Sequence, residues 1–357
     1  MKRIFFAMAM ALSCVLGVVA QDVKEYDLAD IHIRDPFILP DEASGTYYLY
    51  RSAMQATEKG KVGGVECFKS KDLKRWTGPY TVFTVPADNW ITGKVWAPEV
   101  HCYRGKYYLF ATLNSNIEWK KRMEDWPAYT FRGVQVFCAD KPEGPFLPFS
   151  LMPTTPIDQM ALDGTLYVED GVPYMVYCHE WVQLADGAMN VVKMKPDLSG
   201  IDGTPVRLFN ASSAKWSTGT KHKGGAPDSF VTDGCFLYTT KTGKLLMIWS
   251  SFYNSDYAVG IAESVTGRIT GPWIQQPDML FSANGGHGMI FRSFEGKLYI
   301  VLHGLDVSIK RLARDVIEHI TANPDVTLVY VTHYRGEIPP TVQHTFTLTK
   351  YRTEEVE

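Results

Sequence analysis

The sequence predicts an all-β fold, a five-bladed β-propeller, followed by a short α/β C-terminal segment foreign to it. Three observations carry that expectation. Aromatic residues are 13% of the 357 positions, with 19 Tyr, 18 Phe and 9 Trp, an excess that suits pleated sheets and sugar-stacking surfaces. Short apolar runs come in pairs joined by Gly-containing turns, as hairpins do. Five such pairs share one grammar, their starts roughly 55 to 70 residues apart, the mark of a radially repeated unit. A β-sandwich of equal strand content gives no reason for five matched openings.

The five openings are Arg34-Asp35-Pro36, Trp96-Ala97-Pro98-Glu99, Leu162-Asp163-Gly164, Thr232-Asp233-Gly234 and Gly286-His287-Gly288. Each leads through a short strand and a Gly turn (Gly45, Gly105, Gly171, Gly243, Gly296) to a second apolar strand. Alternating stretches such as Gly64 to Phe68, Gly133 to Cys138 and Tyr257 to Ala262 supply third strands. Turn-rich segments beyond them lead to fourth strands, giving about four strands per blade.

The 45% hydrophobic content fills a core, and a net charge of −3 offers no basic field for nucleic acid. Residues 1–20 read as a signal peptide: Lys2-Arg3, then an apolar run from Ile4 to Val19, then Ala20 before Gln21. The run is too short for a stable membrane span. Export to the periplasm or outside the cell is therefore expected, and Ala11-Leu12-Ser13-Cys14 keeps a lipid-anchored surface form as the alternative. The cysteines past the leader are odd in number and sit in apolar stretches, so they read as buried small hydrophobes. The propeller is expected to span 21–303 and to be a monomer.

Inner strands of a propeller line one channel, so their openings converge at one end of it. Asp35, Glu99, Asp163 and Asp233 would meet there with His287. Clustered carboxylates repel, so some must be protonated, hydrogen-bonded or neutralised. That is the equipment of glycoside hydrolysis, in which one carboxylate acts as base and one carboxylic acid as proton donor. The bland readings are an Asp-Pro turn for Asp35, an Asx turn for Asp163, a strand-start cap for Asp233 and packing roles for His101, His179 and His303.

The openings, with Gly285-Gly286-His287-Gly288, resemble those of glycoside hydrolase family 43 over about residues 26–303. The resemblance implies five-bladed propellers acting on arabinofuranosides and xylosides by inversion. It implies Asp35 as general base and Asp163 as the residue that orients the acid and tunes its pKa. His287 would hold a central water or a structural calcium; no cofactor is required. The family's proton donor is a Glu opening the fourth blade, where this chain has Asp233. The acid is then either Asp233 or Glu180, and Glu180, beside His179 and Trp181 on a loop after a buried strand, is preferred. Trp96, Glu99, Trp181 and Arg292 are expected to bind substrate, with specificity set by loops from Leu113 to Phe131 and Glu180 to Asn190. The expected substrate is plant or microbial polysaccharide bearing terminal α-L-arabinofuranose. β-Xylosidase, galactofuranosidase and a non-catalytic sugar-binding propeller are the alternatives.

The grammar stops after His303, and residues 304–357 form an atypical segment with a junction, by fusion or frameshift, near His303-Gly304. Ser308 to Ile320 has helical periodicity and Val326 to His333 reads as a strand. Gly304-Leu305-Asp306 through His333 resembles the end of an ABC-type ATPase, but no phosphate-binding Gly-x-x-x-x-Gly-Lys-Ser/Thr loop occurs in the chain, which excludes nucleotide hydrolysis.

Overall fold

The computed structural model describes residues 24–304, apart from 58–59, 87–88 and 91–92, together with the backbone of 326–332. The leader at 1–20 and the expected helix at Ser308 to Ile320 lie outside the described residues.

The repeated grammar folds as repeated meanders. The first sheet comprises β1 (Lys24–Asp27), β2 (Phe37–Asp41), β3 (Thr46–Thr57), β4 (Gly60–Ser70) and β5 (Arg75–Thr84). Its order is β1-β5-β4-β3-β2, so the earliest strand closes the outer edge. The second holds β6 (Val95–Tyr103), β7 (Lys106–Lys120), β8 (Tyr129–Ala139) and β9 (Leu147–Pro148). The third holds β10 (Ala161–Glu169), β11 (Val172–His179), β12 (Ala188–Lys193) and β13 (Val206–Asn210), and the fourth β14 (Asp233–Thr239), β15 (Leu245–Tyr253), β16 (Asp256–Ser264) and β17 (Trp273–Phe281). All pairings within these four sheets are antiparallel.

The last unit departs from the expected five full blades. Its hairpin, β18 (Gly285–Arg292) and β19 (Leu298–Gly304), is followed by β20 (Val326–Thr332), which pairs with β19 in parallel. Four blades are therefore complete rather than five, because no antiparallel outer strands follow β19 among the described residues. The innermost strands β2, β6, β10, β14 and β18 nonetheless neighbour one another in a closed ring.

Large side chains between the sheets hold that ring. Tyr50, Trp76, Tyr177 and Trp249 are fully buried, each contributing on the order of 1.5–3 kcal/mol of apolar burial. One core joins the second and third sheets, another the third and fourth, and another the fourth and last. Each inner strand is thus fixed along its length, and its opening is placed at one end of the channel.

Candidate active site

The five openings share a backbone device invisible to residue matching. On β6, β10, β14 and β18, pairing with the second strand skips two residues: Ala97-Pro98, Asp163-Gly164, Gly234-Cys235 and His287-Gly288. The first skipped residue always has positive φ: 41° at Ala97, 55° at Asp163, 52° at Gly234 and 48° at His287, matched by 53° at Asp35 before β2. Left-handed backbone outside glycine is strained by about 1–3 kcal/mol and gathers at functional sites.

These bulges set the real equivalences. Asp35, Asp163 and His287 stand at one level, with Ala97 and Gly234 beside them. Asp233 lies one residue ahead of its bulge, and Glu99 two residues past its own. The expectation that the four carboxylates occupy one position is corrected accordingly. Gly234 is required where it stands, because a Cβ there would fall 2.7 Å from His287 Cα and 2.8 Å from its Cγ.

The contacts follow from the levels. His287 Nδ1 lies 3.2 Å from Asp35 Oδ1 and 3.7 Å from Asp163 Oδ2. Asp163 Oδ2 accepts the Gly234 N–H at 2.9 Å, and the Asp163 N–H donates to Thr112 Oγ1 at 2.9 Å. The Asp35 N–H donates to His303 Nδ1 at 3.2 Å, the His303 ring stacks on Tyr257 at 5.7 Å, and the Tyr257 hydroxyl donates to Asp233 Oδ2 at 3.2 Å. Two routes therefore join Asp35 to the fourth opening, one through His287 and Asp163, the other through His303 and Tyr257.

Burial dominates the electrostatics. It raises the Asp163 carboxyl to about 6, against the pull of His287 and with help from Asp35. It raises Asp233 to about 7, reinforced by Asp163 and opposed by His287. For His287, burial works against charge, but Asp35, Asp163, Asp233 and Glu99 together lift the imidazole above its ordinary value. Both carboxyls thus bind protons more tightly than exposed ones, and the surrounding carboxylates favour the charged imidazole.

Glu180 joins the cluster with a partner that sequence reading missed. Its buried carboxylate pairs with the Arg132 guanidinium, whose Nε donates to Asn114 Oδ1 and whose Cζ lies 4.4 Å above the Trp96 ring. Burial raises the Glu180 carboxyl even so. Trp96 itself is 36% exposed at the rim, one face covered by Arg132. Arg132 and Asn114 face each other across β7 and β8, a pairing with no local motif, so nothing in the sequence marks either.

Three residues expected to bind substrate are engaged with partners inside the chain. Glu99 is buried below the bulge and bonded to His101 at 2.8 Å. Arg292 ends β18, roughly 16 Å along the strand from His287 at about 3.3 Å per residue, and caps its own turn by donating to Gly296 O. Trp181 stacks on His222. The calcium expected at His287 would meet a residue whose Nδ1 faces the Asp35 and Asp163 carboxylates. Among the described residues no three His, Cys, Asp or Glu side chains are grouped to hold one.

A family model described as "Glycosyl hydrolases family 43" matches residues 29–327. The chain belongs to that family. An endo-arabinase structure from Bacteroides thetaiotaomicron VPI-5482 is 35% identical, with a TM-score of 0.69 over 79% of this chain and 93% of that one. An endo-1,4-beta-xylanase from the same organism is 24% identical, with a TM-score of 0.56 over 75% of this chain and 83% of that one, a likeness of fold alone. The extracellular endo-alpha-(1->5)-L-arabinanase 1 of Bacillus subtilis (strain 168) is 34% identical over 58 residues, 15% of this chain and 18% of that protein. The match therefore spans less than a fifth of that curated relative. The family 43 span runs past residue 303 into the tail expected to be foreign, and the likeness of that tail to an ABC-type ATPase finds no support. No helix among the described residues is long and apolar enough to cross a membrane.

Proposed function

We propose that this family 43 member hydrolyses α-L-arabinofuranosyl bonds of a polysaccharide with inversion at the anomeric carbon. The observation that carries the reading is the convergence of Asp35, Asp163 and Asp233 on one mouth, with Asp233 titrating at about 7. Asp35 takes a proton from water as the water oxygen attacks the anomeric carbon. The glycosidic C–O bond breaks on the opposite side, and its oxygen receives the proton of Asp233. Asp163 is the positioning residue: it holds Gly234 by its N–H and keeps Asp233 protonated by its own charge.

Asp233 replaces the preferred Glu180 in this assignment. Glu180 is committed to Arg132, whereas Asp233 receives one neutral hydrogen bond and remains partly open at the mouth. Arabinose is favoured over xylose or galactofuranose by the 35% identical endo-arabinase. That same likeness favours, as a second reading, cleavage within arabinan chains over removal of terminal sugars. Export fits residues 1–20 and the extracellular relative. Assays on aryl α-L-arabinofuranoside, aryl β-xyloside and linear arabinan, with products resolved by size and anomer, test the reading. Arabinan cleavage to products of inverted configuration, lost in Asp35→Asn, supports it; sugar binding without turnover overturns it in favour of a non-catalytic propeller.

A further inference from the structure

Three connections rise from the end of the ring that carries the carboxylates. Strand β7 runs from the Tyr103–Lys106 turn back toward that end, so residues 121–128 stand there. By the same alternation, so do the residues after β11, starting at Glu180, and those between β13 and β14. The connections pack together around their own small core of Trp126, Tyr129, Met160 and Val182, with Trp181 and Ala226 against it. Trp126 Nε1 donates to Val182 O at 2.8 Å, and the Lys223 N–H donates to Asp125 Oδ2 at 2.9 Å. The Trp181 ring stacks on His222 at 5.7 Å and 22°, and Trp126 meets Trp181 edge-on at 5.2 Å.

Beside this stack opens a cleft of about 580 Å³ lined by Arg122, Glu124, Asp125, Trp126 and His222. That volume lies within the range of small-molecule sites. Its lining sets the half-buried His222 imidazole, Nε2 bonded to Ser229 Oγ, among hydrogen-bonding groups, Trp126 being itself buried, and its one arginine is offset by two acids. Such a surface suits a neutral, hydroxyl-rich ligand and not a phosphate or a carboxylate. His222, which lines the cleft, stacks on Trp181, the residue that follows Glu180 of the carboxylate cluster.

We propose that this cleft is an accessory sugar site, holding furanose units of the polysaccharide several residues along from the bond being cut. The inference rests on the arabinan reading above. It gives the chain a preference for long substrates that the carboxylate pocket alone does not supply.

The test uses the full chain with two separate substitutions, His222→Ala and Arg122→Ala. The ratio of KM for an arabinofuranose hexamer to KM for an aryl arabinofuranoside is expected to rise about three- to tenfold in each, the size of a lost stacking or hydrogen-bonding contact. An unchanged ratio in both overturns the cleft. Titration of the hexamer into Asp35→Asn, with and without His222→Ala, reads binding independently of turnover. Affinity weakened by the same factor upholds the cleft, and equal affinity or no binding overturns it. Wild-type protein that binds the hexamer through His222 yet cleaves nothing would sink the hydrolase reading alone.

Discussion

The first and third openings carry their carboxylates on the strained residue of the bulge, whereas the fourth carries its own one residue earlier and puts glycine on the strained position. The consequence is a division of surroundings. Asp35 and Asp163 are gripped by His287, His303 and backbone groups at one level of the channel. Asp233 is displaced toward the rim, receives the Tyr257 hydroxyl and keeps a partly open side. A base and its positioning neighbour need fixed geometry, and a proton donor needs access to a leaving group that lies outside the ring. On the proposed assignment, one repeated backbone device, shifted by one residue, supplies both.

The sharpest way to break that comparison is to remove the charge at the first opening without touching its backbone. Asparagine tolerates left-handed φ, so Asp35→Asn keeps the backbone turn and removes the proposed base. A kcat loss of about 10³- to 10⁴-fold on every substrate is expected, with circular dichroism unchanged. A loss below tenfold would assign the base elsewhere.

At the fourth opening the expected effect depends on the leaving group. Asp233→Asn should lower kcat about 10²- to 10³-fold on arabinan, whose leaving alkoxide needs a proton, and far less on an aryl arabinofuranoside with a good leaving group. As the proposed acid, Asp233 acts in its protonated form, so wild-type kcat should fall as pH rises through about 7, and that limb should vanish in the variant. Glu180→Gln should leave the limb in place. If Glu180→Gln removes it and Asp233→Asn does not, the two residues exchange roles.

The glycine of the fourth opening comes next. Gly234→Ala drives a methyl into the His287 backbone and ring at 2.7–2.8 Å and places alanine at φ 52°. A stability loss of about 1–3 kcal/mol is expected, measured by chemical denaturation and accompanied by loss of activity because His287 is displaced.

The sequence carried the ring and its openings because each shows a polar or small residue followed by Pro or Gly, although in the fourth that Gly is itself the strained residue and Cys235 follows it. It could not carry the register within the opening, since Glu99 and Asp233 look equivalent to Asp35 until the skipped pairs are seen. Nor could it carry contacts spanning hundreds of residues: the Asp35 N–H meets His303 across 268 positions, and His303 alone reads as ordinary packing. Arg132 was silent for a related reason. A lone arginine on an alternating strand gains meaning only when Asn114, Glu180 and Trp96 arrive from three other segments.

The smallest expected effect separates the openings by pH and not by mutation. Asp163 and Asp233 bind protons more tightly in the folded chain than when unfolded, at about 6 and about 7 against an ordinary 3.8. The folded state therefore holds more protons between those values, and the stability these groups contribute is complete below pH 4 and is lost as pH rises toward 7. His287, lifted in the same direction, adds to the loss as pH rises past its ordinary value of 6.5. The denaturation midpoint should thus fall from pH 5 to pH 8, within limits set by the many surface groups that titrate elsewhere. Asp233→Asn, which cannot ionise, should flatten the slope between pH 4 and 7, whereas Asp35→Asn, which removes a charge facing His287, should shift the His287 contribution to lower pH. Equal slopes in wild type and Asp233→Asn would mean that the fourth opening is hydrated enough to ionise freely, and the rim position would then have no bearing on where the proton sits.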